Sequence, residues 1–296
     1  MVYNHPVPLM YPISGCMDPG RIVKLKGITT PGCEKFIVNL QSSRTNSKKD
    51  DIPFHMSFRF NEQTVVRNHH EGGQWGCKEE REGGLPIAKG ESFELLVTCK
   101  PEKYEVTLNG KFFCEFIHRL PYKRATHFSV YGDVHVELVG FVFTQPAENG
   151  MVRSLAYSMP GVVYPGRVVT VRATSIPTAQ RFVINLQCGP SPEQPPYDDI
   201  VFHMHFRFFQ QCIVRNHRSA DKWGQEELEG GIPLKEGLYF ELQILCEPRA
   251  FKVFINGKLF CQFAHRLVFS RITHLTAAGD VRIDELSWKD EKLEEC

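Results

Sequence analysis

The chain has 296 residues, enough for one large or two ordinary domains, and its 42% hydrophobic and 23% charged residues are those of a globular protein rather than a disordered or fibrous one. A formal net charge of +1 supplies no whole-molecule field for nucleic acid or an anionic membrane, and nucleic acid is not expected as a partner. No apolar run approaches the roughly 18–20 residues of a membrane span.

The first segment, MVYNHPVPLMYPISG, lacks a basic start and an unbroken apolar stretch, so no secretion signal is expected there. Further along, Phe54-His55-Met56-Ser57-Phe58-Arg59-Phe60 alternates strictly between apolar and polar side chains. A strand sends alternate residues to opposite faces, so the phenylalanines and Met56 face a core while His55, Ser57 and Arg59 share the other side. Asn68 follows one strand on, then Trp75 after a Gly-rich turn, then Glu79 and Arg81. Phe93, Leu95, Val97 and Cys99 alternate again, as do Tyr104, Val106 and Leu108 before Asn109-Gly110, a hairpin signal.

The pattern then repeats. FIVNLQ at 36–41 returns as FVINLQ at 182–187, FHMSFRF as FHMHFRF, and NGKFFCEFIHRL as NGKLFCQFAHRL, with matching positions 146–148 residues apart. The second set is His203, His205, Arg207, Asn216, Trp223 and Glu226, with Leu228 where the first has Arg81. Many short strands without helical periodicity predict an all-β protein of two tandem antiparallel β-sandwich domains, at 1–146 and 158–296. Residues 147–157 read as a short linker, and the second domain ends in a polar tail carrying Cys296.

Ten cysteines without a Cys-x-x-Cys, four of them (Cys99, Cys114, Cys246, Cys261) inside apolar strand-like runs, read as small buried hydrophobes rather than a disulfide framework. Cys296 reads as the exposed thiol. With the open sandwich edges, it would permit a homodimer.

Arginine, imidazole and amide groups offer directional partners for sugar hydroxyls, an indole offers a flat wall for the C–H face of a pyranose, and a carboxylate can pin the arginine fork. In order, His55-x-Ser57-x-Arg59, Val66-x-Asn68 and Trp75-Gly76…Glu79-x-Arg81, with their second-repeat counterparts, resemble the galectin family over nearly the whole chain, twice. That resemblance implies a jelly-roll sandwich. It also implies metal-independent, non-catalytic binding of β-galactosides without a cofactor, and cross-linking of galactose-containing glycans on glycoproteins or glycolipids by tandem members. The implied location is cytoplasmic, with export to the extracellular space that needs no signal peptide. His55 with Arg59, or His203 with Arg207, would hold an axial hydroxyl, Asn68 or Asn216 a 6-hydroxyl, and Trp75 or Trp223 would stack on the sugar.

Three departures stand out. The family's central Asn, between the His and the Arg, is Ser57 in one repeat and His205 in the other. One extra residue lies between Trp75 and Glu79 and is expected as a bulge that re-aims Glu79 and Arg81. Leu228 removes an arginine that the family turns toward the second sugar. An imidazole of ordinary pKa at His205 would make sugar binding by the second repeat vary between about pH 5.5 and 7.5.

Other classes fit less well. His203-x-His205 with His217 nearby suggests a metal site, but the first repeat offers only His55 and no third ligand has the usual spacing. Paired groove carboxylates or a nucleophile elbow, the marks of a hydrolase, are not evident. A galectin-like interaction or scaffold protein that has lost sugar binding stays open as the alternative.

Overall fold

Alternating side chains build two sandwiches from this sequence. The computed structural model describes residues 8–13, 15–43, 50–143, 152–159, 161–190 and 198–291, and the chain divides into two compact units at residue 144. In the first unit the strands are β1 (Leu9–Pro12), β2 (Arg21–Thr29), β3 (Lys35–Gln41), β4 (Ile52–Arg59), β5 (Thr64–Glu71) and β6 (Gln74–Trp75). They continue with β7 (Glu80–Gly83), β8 (Ser92–Cys99), β9 (Lys103–Leu108), β10 (Lys111–Ile117), β11 (His127–Gly132) and β12 (Val134–Phe143). One sheet runs β1-β11-β3-β4-β5-β6 with β7 also on β5; the facing sheet runs β10-β9-β8-β2-β12.

The second unit repeats the plan with β13 (Val152–Ser158), β14 (Arg167–Ser175), β15 (Arg181–Gln187), β16 (Ile200–Arg207), β17 (Cys212–Ser219) and β18 (Lys222–Trp223). After them come β19 (Tyr239–Cys246), β20 (Ala250–Ile255), β21 (Lys258–Ala264), β22 (His274–Gly279) and β23 (Val281–Asp290). Its sheets run β13-β22-β15-β16-β17-β18 and β23-β14-β19-β20-β21.

Between the sheets of each unit lies an aromatic core. Phe36 on β3 stacks on Phe58 of β4 at 4.3 Å and on Phe93 of the facing β8 at 5.1 Å. Phe182, Phe206 and Phe240 repeat the stack at 4.2 and 5.5 Å. All six rings are buried, each adding roughly 1.5–3 kcal/mol of transfer free energy. The Asn-Gly pairs turn as expected, with φ of 49° and 76° at Asn109 and Gly110 and 50° and 75° at Asn256 and Gly257, both central residues in the left-handed region a tight hairpin requires. Asn109 also accepts from the Glu94 amide at 2.8 Å, tying the hairpin to β8.

One expectation changes here. Residues 152–157 of the expected linker belong to β13, which pairs with β22 along the sheet edge. An edge strand needs only one neighbour, and a register shift between Val152 and Leu155 breaks the alternation that marks a strand in sequence. Residues 147–151 and Cys296 lie outside the described residues. The nine described cysteines are free thiols, and burial pushes those of Cys99, Cys114 and Cys246 up to about 12.

Candidate functional site

On the outer side of the sheet centred on β4, the polar residues of the alternating strand form a floor rather than a wet surface. His55 and Ser57 are buried, because β3 and β5 flank them in register: His55 lies opposite both Asn39 and Asn68, and Ser57 opposite Ile37 and Val66. Ser57 is only 2% exposed, and its hydroxyl is enclosed without a hydrogen-bond partner. The residue that replaces the family's Asn therefore offers no open hydroxyl to a ligand.

Behind each histidine runs a polar chain that the sequence motif does not mention. The Gln41 amide donates to the Ser43 carbonyl at 2.8 Å, Ser129 donates to Gln41 Oε1 at 2.5 Å, and Asn39 Nδ2 donates to Ser129 Oγ at 3.4 Å. Asn39 Oδ1 then faces His55 Nδ1 at 2.7 Å. The second domain repeats it with Gln187 to Gly189 at 2.6 Å, Thr276 to Gln187 at 2.8 Å, Asn185 to Thr276 at 3.1 Å and His203 Nδ1 to Asn185 at 2.7 Å. Each link fixes the polarity of the next, so Oδ1 must accept and Nδ1 must carry the proton. Nε2 of His55 and of His203 is then left as an acceptor facing outward. The only sequence sign of this chain was the exact return of Asn-Leu-Gln in both repeats.

The arginine fork is held by acids, differently in the two domains. Arg59 meets Glu62 at 3.3 Å and Glu79 at 3.7 Å, and Arg81 meets the same two at 3.1 and 2.6 Å, closing a ring of four charges. No motif in the sequence marks Glu62, which lies in the turn after β4. In the second domain Glu226 holds Arg207 at 2.8 Å, Gln210 takes the place of Glu62 and accepts from Arg207 at 3.3 Å, and Leu228 stands exposed where Arg81 would be. Arg207 Nε also donates to His205 Nδ1 at 3.2 Å.

The residue inserted before Glu79 does not make a strand bulge. It is absorbed in the bend at 76–79 between β6 and β7, and β7 still pairs with β5 through Val66 and Arg81. Arg119, which no sequence motif marks as part of the site, holds this bend by donating to the Lys78 carbonyl and pairing with Glu80 at 2.6 Å. The second domain has a single bridge, Arg215 with Glu227, in place of β7.

Trp75 and Trp223 stand half-exposed, at 52% and 48%, above this floor. Trp75 packs edge-on against His55 at 4.7 Å and His70 at 5.1 Å; Trp223 packs against His203 at 4.7 Å and carries the Arg218 guanidinium over its ring at 5.5 Å. The glycine after each tryptophan is needed, since a Cβ at Gly76 or Gly224 would collide with the ring of His69 or His217. Asn68 and Asn216 are buried and donate to those glycine carbonyls at 3.0 and 2.9 Å while accepting the next backbone N–H. They shape the tryptophan loop; Asn68 Oδ1 accepts from Arg119 at 3.3 Å as well, and a second N–H of each amide is left for a ligand.

The three floor histidines are neutral. Burial, then Arg59, Lys35 and His70, lower His55 to about 4; burial, then His205, Arg207 and Arg218, lower His203 to about 3. Burial, Arg207 and Arg181 bring His205 to about 4 against the opposing pull of Glu226. The expected pH window of 5.5–7.5 for His205 is therefore corrected: its titration falls near pH 4, because the ring is partly buried and stands beside the guanidinium groups of Arg207 and Arg181. Among the described residues no group of three or more His, Cys, Asp or Glu side chains is placed to hold a metal ion, and His217 lies against Gly224.

A half-exposed indole beside a fixed arginine fork and an outward imidazole acceptor, on an antiparallel sandwich, defines a carbohydrate-binding module, and the chain carries it twice. The chain belongs to the galactoside-binding lectin family, whose model matches residues 8–141 and again 154–288. It is 34% identical to the 32 kDa beta-galactoside-binding lectin of Haemonchus contortus, over 95% of this chain and 94% of that one. It is 33% identical to galectin-4 of Homo sapiens over 95% of each chain, and 29% identical to galectin-8 of Rattus norvegicus over 97% of each. The solved structure of sheep galectin-11 in complex with glycerol is similar at TM-score 0.42 and 27% identity, over 47% of this chain and 99% of its own.

Proposed function

We propose that this chain binds galactose-type (β-galactoside) glycans at two non-identical sites and cross-links glycoconjugates through them. The observation that carries the reading is the pairing, in each domain, of a half-exposed tryptophan with a buried histidine whose Nε2 is held as an acceptor. Sugar C–H groups lie on the indole, an axial hydroxyl donates to Nε2, and the Arg59 or Arg207 fork donates to sugar oxygens. Recognition is reversible, and no bond is made or broken. The relatives named as β-galactoside-binding support the sugar class.

One observation favours the scaffold reading for the first domain: the enclosed Ser57 hydroxyl takes away the central contact of that groove. Titration calorimetry of the full chain with lactose separates the two. Lactose binding that Trp223→Ala and Trp75→Ala each reduce supports two lectin sites, and loss in Trp223→Ala alone leaves the first domain as scaffold. Absence of binding at millimolar lactose in the unaltered chain rejects the lectin reading altogether.

A further inference from the structure

The two sandwiches differ at the end where the turns leading into β15, β17 and β19 meet. In the second domain these turns are tied together: the Phe208 amide donates to the Gln180 carbonyl at 3.0 Å, Gly237 to Ile176 at 3.1 Å and Ser175 to Leu238 at 3.3 Å. Asn61, Arg81, Glu91 and Ser92 of the first repeat are polar, and their counterparts are Phe209, Leu228, Leu238 and Tyr239. None of these apolar side chains is tucked away, for Phe209 is 96% exposed, Leu238 and Tyr239 55% and Leu228 47%. The fold does not ask for the change. Gln63 and Gln211 both stand at φ 50°, and each side-chain amide donates back to the carbonyl of Phe60 or Phe208, at 2.8 and 2.7 Å. Asn61 and Phe209 therefore occupy the same place in the same turn.

Charge changes with polarity. Glu34 and Glu62 become the neutral amides of Gln180 and Gln210, and Glu91 gives way to Leu238. Over residues 30–35, 60–63 and 88–92 of the first domain, two cations face three acids, a net charge of −1. Over the matching 176–181, 208–211 and 235–239, the exposed cations Arg181 and Lys235 face Glu236 alone, a net charge of +1.

We infer that this end of the second domain docks on a phospholipid bilayer. Phe209, Leu238 and Tyr239 enter the interfacial layer, and Arg181 and Lys235 lie against anionic headgroups. Clustered exposed apolar side chains mark a contact surface, and interfacial binding grows with the apolar area inserted and with cations beside it. A phenylalanine that is 96% exposed stands out from the surface and lines no recess. A fluid lipid layer takes in such a side chain directly, whereas a folded partner would have to match it with a pocket. The acids missing from this end are the groups that anionic headgroups would repel. The surface is separate from sugar recognition and does not depend on it.

The test is flotation of the full-length chain with glycolipid-free vesicles of phosphatidylcholine and about one-third phosphatidylserine, in excess lactose. The chain should float with them, and less with phosphatidylcholine alone. Phe209→Asn should weaken binding about tenfold, the order for withdrawing one large apolar side chain. Phe209→Asn with Leu238→Glu, which restores the residues of the first domain, should abolish it. Melting temperatures should match the parent's, because both positions are exposed. A parent chain that stays at the bottom overturns the inference, as does a double variant that floats like the parent. So does a dimer in sedimentation equilibrium that the double variant dissociates, which gives this face to a second copy of the chain. A chain that binds lactose and does not float loses this surface and keeps the galactoside reading; one that floats and binds no lactose does the reverse.

Discussion

Arg81 donates to Glu62 at 3.1 Å across the mouth of the first domain's groove, and in the second domain both partners have changed together, to Leu228 and Gln210. A glutamate at 210 would still have Arg207 beside it, as Glu62 has Arg59, so the paired change removes one cation and one acid and leaves the Arg207–Glu226 pair in place. The consequence is a charged groove end in one domain and a neutral, partly apolar one in the other.

This predicts different preferences at the sugar beyond galactose, toward which the family resemblance turns Arg81. Arg81→Leu should lower affinity of the first domain for lactose several-fold while leaving galactose nearly unchanged, since only the second sugar reaches it. In the second domain Leu228→Arg alone should gain less than Leu228→Arg with Gln210→Glu, which restores the ring. Paired titrations with lactose and galactose check both. Melting temperatures should barely move, because exposed ion pairs add little stability.

The tryptophans carry a second prediction, about valence. Trp75→Ala or Trp223→Ala should each weaken its own site about tenfold, the order of an aromatic contact together with its buried area, with little change in melting because the rings stand half-exposed. Precipitation of a multivalent lactosylated glycoprotein needs both sites, so either single variant should abolish it while monovalent binding persists at the other site. Precipitation that survives Trp75→Ala would mean that a second copy of the chain, not the first domain, supplies the second valence.

Much of this site was readable because strand alternation and order along the chain are local properties. His55, Arg59 and their counterparts fall on one face by period alone, Trp75 and Trp223 stand out by their order after a turn, and Asn109-Gly110 announces its turn. What stayed hidden depends on pairing between distant strands. Asn39, Gln41 and Ser129 look like ordinary strand residues until β3, β4 and β11 align and make them one hydrogen-bonded chain. Glu62 lies in a turn that sequence reads as mere connection. The enclosure of Ser57 and the low pKa of His205 follow from burial, which alternation cannot measure: on one polar face Ser57 is enclosed while the tryptophans stand half-exposed.

The low histidine values make stability depend on pH in a stated direction. Unfolded, each ring titrates near its ordinary 6.5; folded, His55 and His205 titrate near 4 and His203 near 3. Between these limits the unfolded chain holds more protons, so stability is full above about pH 6.5 and declines as the pH falls, levelling below the folded values. Melting temperature should therefore drop steadily from pH 6.5 to 4. His203→Gln should flatten that slope by removing the group with the widest gap. Lactose affinity, by contrast, should stay level from pH 7.5 to 5.5 and fall only as the Nε2 acceptors protonate.

The polar chain behind the histidines gives the last prediction, which separates positioning from contact. Asn185 is buried and joins Thr276 to His203, so it lies behind the histidine rather than in the groove. Asn185→Ala leaves His203 Nδ1 and the Thr276 hydroxyl short of a partner, a cost of about 1–3 kcal/mol in stability. It also frees His203 to place its proton on Nε2, the wrong atom for accepting from a hydroxyl. Lactose affinity of the second domain should fall with the melting temperature, and the His203 tautomer seen by 15N resonance should become mixed. Asn185→Asp, which still accepts at Nδ1, should keep the Nε2 acceptor and hold the tautomer, even though it loses the donor to Thr276. An Asn185→Ala chain that stays pure in tautomer and unchanged in affinity would show that Trp223 and the strand, rather than this chain of hydrogen bonds, orient the ring.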